Sequence, residues 1–365
     1  MKENFLHRKL DERKEQHAFR ELRIARKGMI DLCSNDYLGI VKNNLLHSTA
    51  IAASYGSTGS RLLTGNYELI EETEQVIASF HQSAAALIFN SGYDANIGLL
   101  SSVPQRGDTI LYDQLSHASI RDGIRLSFAE SFSFQHNDLD DLETRLKKST
   151  GNIFIVTESI FSMDGDICPV KELVELSQQY NANLVIDEAH ATGVLGEKGE
   201  GLVQLLGLQE QVFARIHTFG KACGTHGAAV LGSAALRDYL INFARSFIYT
   251  TALPVETIQH IKTSYQLFPQ LQQERMKLNE LVGYFQSAET GYEKMQSRTP
   301  IQGLVVPGNQ QVRRLAEELQ AHNLDIRPIL YPTVPKGLER LRIVLHAFNT
   351  KPELDLLLNC LKNSL

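Results

Sequence analysis

Apolar positions along the chain follow two periods. Strand-type runs occupy 84–89, 109–112, 131–134, 153–157, 184–187 and 228–232, and 215–218 reads the same way. Between them, helical spacing covers 68–80, 139–147 and 170–180, and further helices start after the glycine turn at 90–92 and after 115. Strands alternating with helices predict a mostly parallel sheet covered on both faces, whose ligands gather outside the carboxyl ends of the strands. Residues 1–23 read as a charged helix with Phe5, Leu6, Leu10 and Leu22 as a sparse apolar face. Residues 255–286 read as one long helix leading to a smaller domain, with strands at 303–306 and 341–345, a helix at 311–321 and a closing helix from 351. The expected organisation is an N-terminal helix and arm (1–40), a large domain (41–254), and a linking helix with a small C-terminal domain (255–365).

Composition narrows the partners. A chain of 365 residues with 43% hydrophobic content can bury a large core, and a formal charge of -6 asks for neither nucleic acid nor a membrane surface. No apolar run approaches the roughly 18 residues of a membrane span, and the first residues mix acids with bases and lack an apolar signal core, so a cytoplasmic location is the expectation. Cys33, Cys168, Cys223 and Cys360 form no C-x-x-C pair, and neither a metal site nor a disulfide framework is expected.

Two stretches carry the candidate chemistry. In 184–193 an apolar run ends on Asp187, and His190 follows in a turn closed by Gly193. In 215–227 a short run ends in Thr218, Phe219, Gly220 and Lys221 before a glycine-rich loop. Alone, Asp187 could cap a turn and Lys221 could be a solvated loop lysine. Together, with His190 and Thr218 at these offsets, they suit pyridoxal 5'-phosphate, which needs a lysine to hold it covalently and a carboxylate beside its ring nitrogen. His190 could donate to the ring phenolate and Thr218 could bond the phosphate. The turn at 90–96 into a helix offers free backbone N–H groups as a phosphate cradle. Ser162, in a turn beyond the strand at 153–157, could reach the phenolate or a substrate, or simply build that turn. Arg342, an inward strand arginine, suits a carboxylate held in two parallel hydrogen bonds.

The motifs Asp-Glu-Ala-His-Ala-Thr-Gly at 187–193, Thr-Phe-Gly-Lys-Ala-Cys-Gly at 218–224 and Ser-Asn-Asp-Tyr-Leu-Gly at 34–39 resemble the α-oxoamine synthases, fold-type I pyridoxal phosphate enzymes. The resemblance runs from about the first helix to the last. It implies a mostly parallel seven-stranded central sheet covered by helices, a smaller α+β domain from the chain ends, and a homodimer with shared active sites. It also implies decarboxylative condensation of an amino acid with an acyl thioester. The best match is to members that join L-alanine to a pimeloyl thioester of coenzyme A or a carrier protein. Glycine with acetyl-CoA is the alternative, and a non-catalytic scaffold subunit on the same fold is the remote one. By this resemblance Lys221, Asp187, His117 and His190 are catalytic. Gly92 and Tyr93 contact the phosphate with Thr218, Ser162 contacts the cofactor, Thr251 reaches the neighbouring subunit's phosphate, and His117 stacks on the ring. Arg20 meets the far carboxylate of the acyl group. Asn35 and Arg342 hold the amino acid's carboxylate, and Thr333 contacts substrate. Ser60 lines the amino acid side-chain pocket and favours alanine. Ile70 stands where many relatives carry histidine.

Overall fold

The computed structural model describes residues 3–22, 24, 26–46 and 56–364. Tyr55, the first residue of the glycine-rich stretch at 55–65, lies outside them. The chain forms two compact units, one from Leu38–Ser162 and Ile167–Arg275, the other from Met1–Tyr37, Met163–Asp166 and Met276–Leu365. The larger unit thus runs past residue 254, because the helix Val255–Leu267 packs on the helix Glu68–Phe80.

A seven-stranded sheet organises the larger unit. Its strands lie in the order Ala85–Phe89, Ala228–Gly232, Ala214–Thr218, Asn183–Asp187, Ile153–Glu158, Thr109–Asp113 and Glu130–Phe134. Only Ala228–Gly232 runs antiparallel to its neighbours, so the six other strands end at one edge of the sheet. The near-continuous apolar runs follow from burial on both faces. Leu87, Phe89, Phe154, Val185, Ile216 and Val230 enter one core with Leu99, Ile120 and Leu240 from the covering helices. Each such side chain contributes roughly 1.5–3 kcal/mol on full burial.

The smaller unit holds a four-stranded antiparallel sheet in the order Arg327–Ile329, Arg340–Val344, Ile301–Val305 and Glu293–Lys294. A parallel pair, Ile30–Asp31 with Leu324–Asp325, ties the N-terminal arm to it.

Two expected helices differ. The first spans only Asn4–Glu15 and buries none of its residues. It stops because His17 takes a left-handed φ of 51°, with Ala18 N–H donating to Arg13 O and His17 N–H to Lys14 O, both at 2.9 Å. The expected helix over 255–286 is two, Val255–Leu267 and Gln272–Ser287, separated by a 3-10 turn at Phe268–Gln270. Pro269 sits in that turn and has no N–H to continue the α-helical ladder.

Candidate active site

The sheet's common edge collects the chemistry of the larger unit. Glu158 and Asp187 end adjacent parallel strands and are register partners, and Ile216, next to Asp187 on the other side, lies two residues before Thr218. Asp187 is buried; its Oδ1 accepts the Ala189 N–H at 2.9 Å and its Oδ2 accepts the Asn96 amide at 2.8 Å. His190 follows, buried, in the turn after Asp187. The neighbouring Glu188 is structural: its carboxylate accepts the N–H groups of Leu202 and Val203 at 2.8 and 2.7 Å.

Gly193 explains why the two motifs meet. Its φ is +79°, and a Cβ there would lie 2.8 Å from the Cβ of Ala222, the residue after Lys221. Only glycine supplies that conformation without strain and lets the two turns touch. Lys221 is half-buried in its turn, where its carbonyl accepts the Gly224 N–H at 2.8 Å.

His117 is linked to Asp187 through Ser119 and Asn96. It caps the helix Ala118–Leu126, with Nδ1 accepting the Ser119 N–H at 3.2 Å, and its own N–H donates to Glu158 Oε1 at 2.6 Å. Although His117 is exposed as a residue, the protein packed around its ring, with help from the positive charge of Lys221, holds the imidazole below its ordinary pKa, while Asp187 and Asp122 pull the other way. Burial and then the negative charge of Asp187 push Glu158 up to about 8, opposed by the His117 N–H and by Lys221. Each of Lys221 and Asp187 therefore acts on both His117 and Glu158: amine, acid and imidazole share one neighbourhood.

The cradle lies alongside. Ser91 starts the helix Gly92–Ser102 by accepting the Asp94 N–H at 3.0 Å, and Ala95 N–H turns back to Ser91 O. The first-turn N–H groups of Gly92 and Tyr93 have no acceptor within the helix, as at every helix start. A Cβ at Gly92 would come within 3.1 Å of Thr218 Oγ1, so the missing side chain lets the helix start approach that hydroxyl closely. Tyr93 points its ring outward and donates its hydroxyl to Asp122. Thr251 is exposed; its carbonyl accepts the Asn90 amide at 2.8 Å, two residues before Gly92. Ser60 is half-buried in a loop anchored nearby, where Ala252 N–H donates to Gly59 O at 3.0 Å. Ser162 is half-buried beyond the strand Ile153–Glu158, and Ile70 is buried in its helix.

In the smaller unit two pairs form. Arg342 Nη2 donates to Asn35 Oδ1 at 3.0 Å, and the same oxygen accepts the Tyr37 hydroxyl at 3.1 Å. Arg20 Nη2 donates to Thr333 Oγ1 at 3.2 Å, and both line a cavity of about 660 Å³ with Arg13, Arg313, Arg327 and Tyr331.

Three residues of the site escape the sequence reading. Glu158 shares with Asp187 the signal of an acid ending an apolar strand. Asn96 and Ser119 carry no local signal, because their contacts join two helices. Among the described residues no group of three or more His, Cys, Asp or Glu could hold a metal ion, and no helix is long and apolar enough to cross a membrane.

These residues fit pyridoxal phosphate. A helix start and a hydroxyl brought together at a glycine suit the phosphate, and an amine and a buried carboxylate at one sheet edge suit its aldehyde and its ring nitrogen.

A family model for class I and II aminotransferases matches residues 27–361. An 8-amino-7-oxononanoate synthase from Emericella nidulans is 41% identical, over 96% of this chain and 92% of its own. The structure of a serine palmitoyltransferase from S. paucimobilis, with PLP and myriocin bound, matches with a TM-score of 0.87 at 25% identity, covering 100% of this chain and 97% of that one. That of an 8-amino-7-oxononanoate synthase from Francisella tularensis matches with a TM-score of 0.79 at 28% identity, covering 93% and 98%. With its fold, its motifs and nearly its whole length matched, the chain belongs to the class I and II aminotransferase family, and within it to the α-oxoamine synthases.

Proposed function

We propose that the chain condenses L-alanine with a pimeloyl thioester, of coenzyme A or an acyl carrier protein, releasing carbon dioxide and forming 8-amino-7-oxononanoate for biotin biosynthesis. The observation that carries this reading is the chain of contacts from Asp187 through Asn96 and Ser119 to His117, at a sheet edge where the strand ending in Thr218 leads into Lys221 and Gly92 starts its helix against Thr218.

Pyridoxal phosphate, when bound, supplies an electron sink that stabilises negative charge on the amino acid's α-carbon. The protein's part divides among its side chains. Lys221 holds the cofactor at rest, takes the α-proton of alanine once released, and returns a proton to the product carbon. Asp187 keeps the ring nitrogen protonated. Thr218 and the N–H groups of Gly92 and Tyr93 would hold the phosphate, His190 and Ser162 would serve the phenolate, and His117 would stack on the ring. Arg342 and Asn35 orient the alanine carboxylate, which later leaves as carbon dioxide. The new bond joins the α-carbon to the acyl carbonyl carbon, and the thiolate departs from that carbon. Arg20 binds the far carboxylate of the acyl chain, Thr333 contacts substrate, and Ser60 bounds the alanine methyl group. Lysine must be neutral to accept the proton.

The same reading makes the protein a cytoplasmic homodimer. Thr251, exposed beside the cradle, would reach the phosphate of the partner subunit; its exposure and its tie to Asn90 support that placement.

Free thiol release measured with alanine plus pimeloyl-CoA, and separately with glycine plus acetyl-CoA, tests the proposal. Release with the first pair, abolished by Lys221→Ala, is expected. Release only with the second pair would replace alanine and pimeloyl by glycine and acetyl, and full activity in Lys221→Ala would end the scheme.

A further inference from the structure

Helix Gly92–Ser102 sets Asn96 one turn beyond Gly92 and Tyr93, with its side chain between two acceptors. Its Nδ2 donates to Asp187 Oδ2 at 2.8 Å and to Ser119 Oγ at 3.1 Å. A carboxylate only accepts, so the amide must face Asp187 nitrogen first, and its orientation is fixed by chemistry. The consequence is a buried Oδ1 with no hydrogen-bond partner among the described residues. Native structures avoid such unpaired oxygens, and one retained here points to a use for the nitrogen.

Both amide hydrogens are thereby committed. Ser119 Oγ accepts one of them, which leaves its own hydrogen to give, and His117 Nδ1 lies 2.7 Å away. The Ser119 N–H reaches the same ring nitrogen at 3.2 Å. Nδ1 thus faces two donors and must be the bare nitrogen, so the neutral ring carries its proton on Nε2. The two helices come this close because Gly123, one turn after Ser119, has no side chain: a Cβ there would sit 2.9 Å from Asn96 O.

We propose that Asn96 is a positioning residue for the reaction, tying the Asp187 carboxylate to the His117 ring through Ser119 and holding that ring as the Nε2–H tautomer. The proposal rests on the reading of the site given above. It makes the Nε2 hydrogen the one donor the ring offers to whatever lies over it. The charged and titratable groups acting on His117 are Asp187, Lys221, Asp122 and Glu158. Of these, Glu158 holds the backbone N–H and leaves the ring to Asn96 and Ser119, so the two anchors can be tested apart.

The test uses the full-length protein with ¹⁵N-labelled histidine, with and without pyridoxal phosphate, as wild type, Asn96→Leu and Ser119→Ala. Nitrogen shifts of the His117 ring across pH report which nitrogen is bare, and steady-state rates with alanine accompany them. The wild type should show a bare Nδ1, and both variants an Nδ1–H population. In the variants kcat should fall on the order of 10-fold or more, the loss expected for one charge-assisted hydrogen bond, with a smaller change in KM for alanine. A purely structural Asn96 would lower stability and leave the tautomer alone. An unchanged bare Nδ1 in both folded variants, or an Nδ1–H in the wild type, overturns the proposal. Should Asn96→Leu not fold, Ser119→Ala decides, since Ser119 is the group that touches the ring. A wild type that takes up no pyridoxal phosphate would defeat the functional reading, and the tautomer measured without cofactor would still decide the coupling.

Discussion

Glu158→Gln isolates the least expected group of the site. Glu158 is fully enclosed beside Asp187, and its pKa rises from an ordinary 4.5 to about 8, through burial first and the Asp187 charge second. Between those values the folded protein keeps a proton that the unfolded chain has released. The stabilisation from this group is therefore complete below about pH 4.5 and is lost as pH rises through about 8. At about 1.4 kcal/mol per pH unit, the interval from pH 6 to pH 8 costs the wild type on the order of 2 to 3 kcal/mol, and the loss levels off above that. Glutamine keeps an oxygen for the His117 N–H, which Glu158 accepts at 2.6 Å, and cannot ionise. Urea unfolding of the cofactor-free proteins at pH 6, 7, 8 and 9 should show the variant gaining on the wild type by that amount between pH 6 and 8. A stability difference that stays flat over this range would mean that Glu158 titrates as an ordinary carboxyl, and the electrostatic account of the site would fail.

Two further substitutions test the cradle and the carboxylate site. Gly92→Ala puts a methyl group about 3.1 Å from Thr218 Oγ1, so retention of pyridoxal phosphate, followed by its absorbance during dialysis, should weaken while thermal unfolding of the cofactor-free protein changes little; undiminished retention would move the phosphate elsewhere. Arg342→Lys keeps the charge and loses the planar fork, so KM for alanine should rise on the order of 10-fold with kcat less affected; an unchanged KM would remove Arg342 from substrate binding.

Much of the fold is legible because its signals are local. Period-2 and continuous apolar runs mark the strands of the central sheet within a residue or so, and the glycine turns after them mark the edge where Asp187 and Lys221 lie. The overlong helices fail for local reasons too. Pro269 forbids an unbroken helix over 255–286, and the first helix has no buried face to extend it, with Phe5, Leu6 and Leu10 exposed. The site is legible where motif and strand end coincide. Asn96 and Ser119 stay hidden because 23 residues of sequence separate two side chains that meet only when Gly123 lets their helices close. Glu158 stays hidden for a different reason. An acid ending a strand is visible in sequence, but that its neighbour across the ladder is a second acid depends on the register of the sheet.

That register sets two acids side by side. Like charges on adjacent strands repel, and in an enclosed setting one of two neighbouring acids is favoured to take a proton. Asp187 accepts the N–H groups of Ala189 and Asn96, and Glu158 accepts the backbone N–H of His117. Burial and the Asp187 charge raise Glu158 to about 8, so it is the acid that takes the proton. One side chain, Asn96, reaches toward both acids: it donates to Asp187, and through Ser119 it constrains the imidazole whose backbone rests on Glu158, the acid that takes the proton.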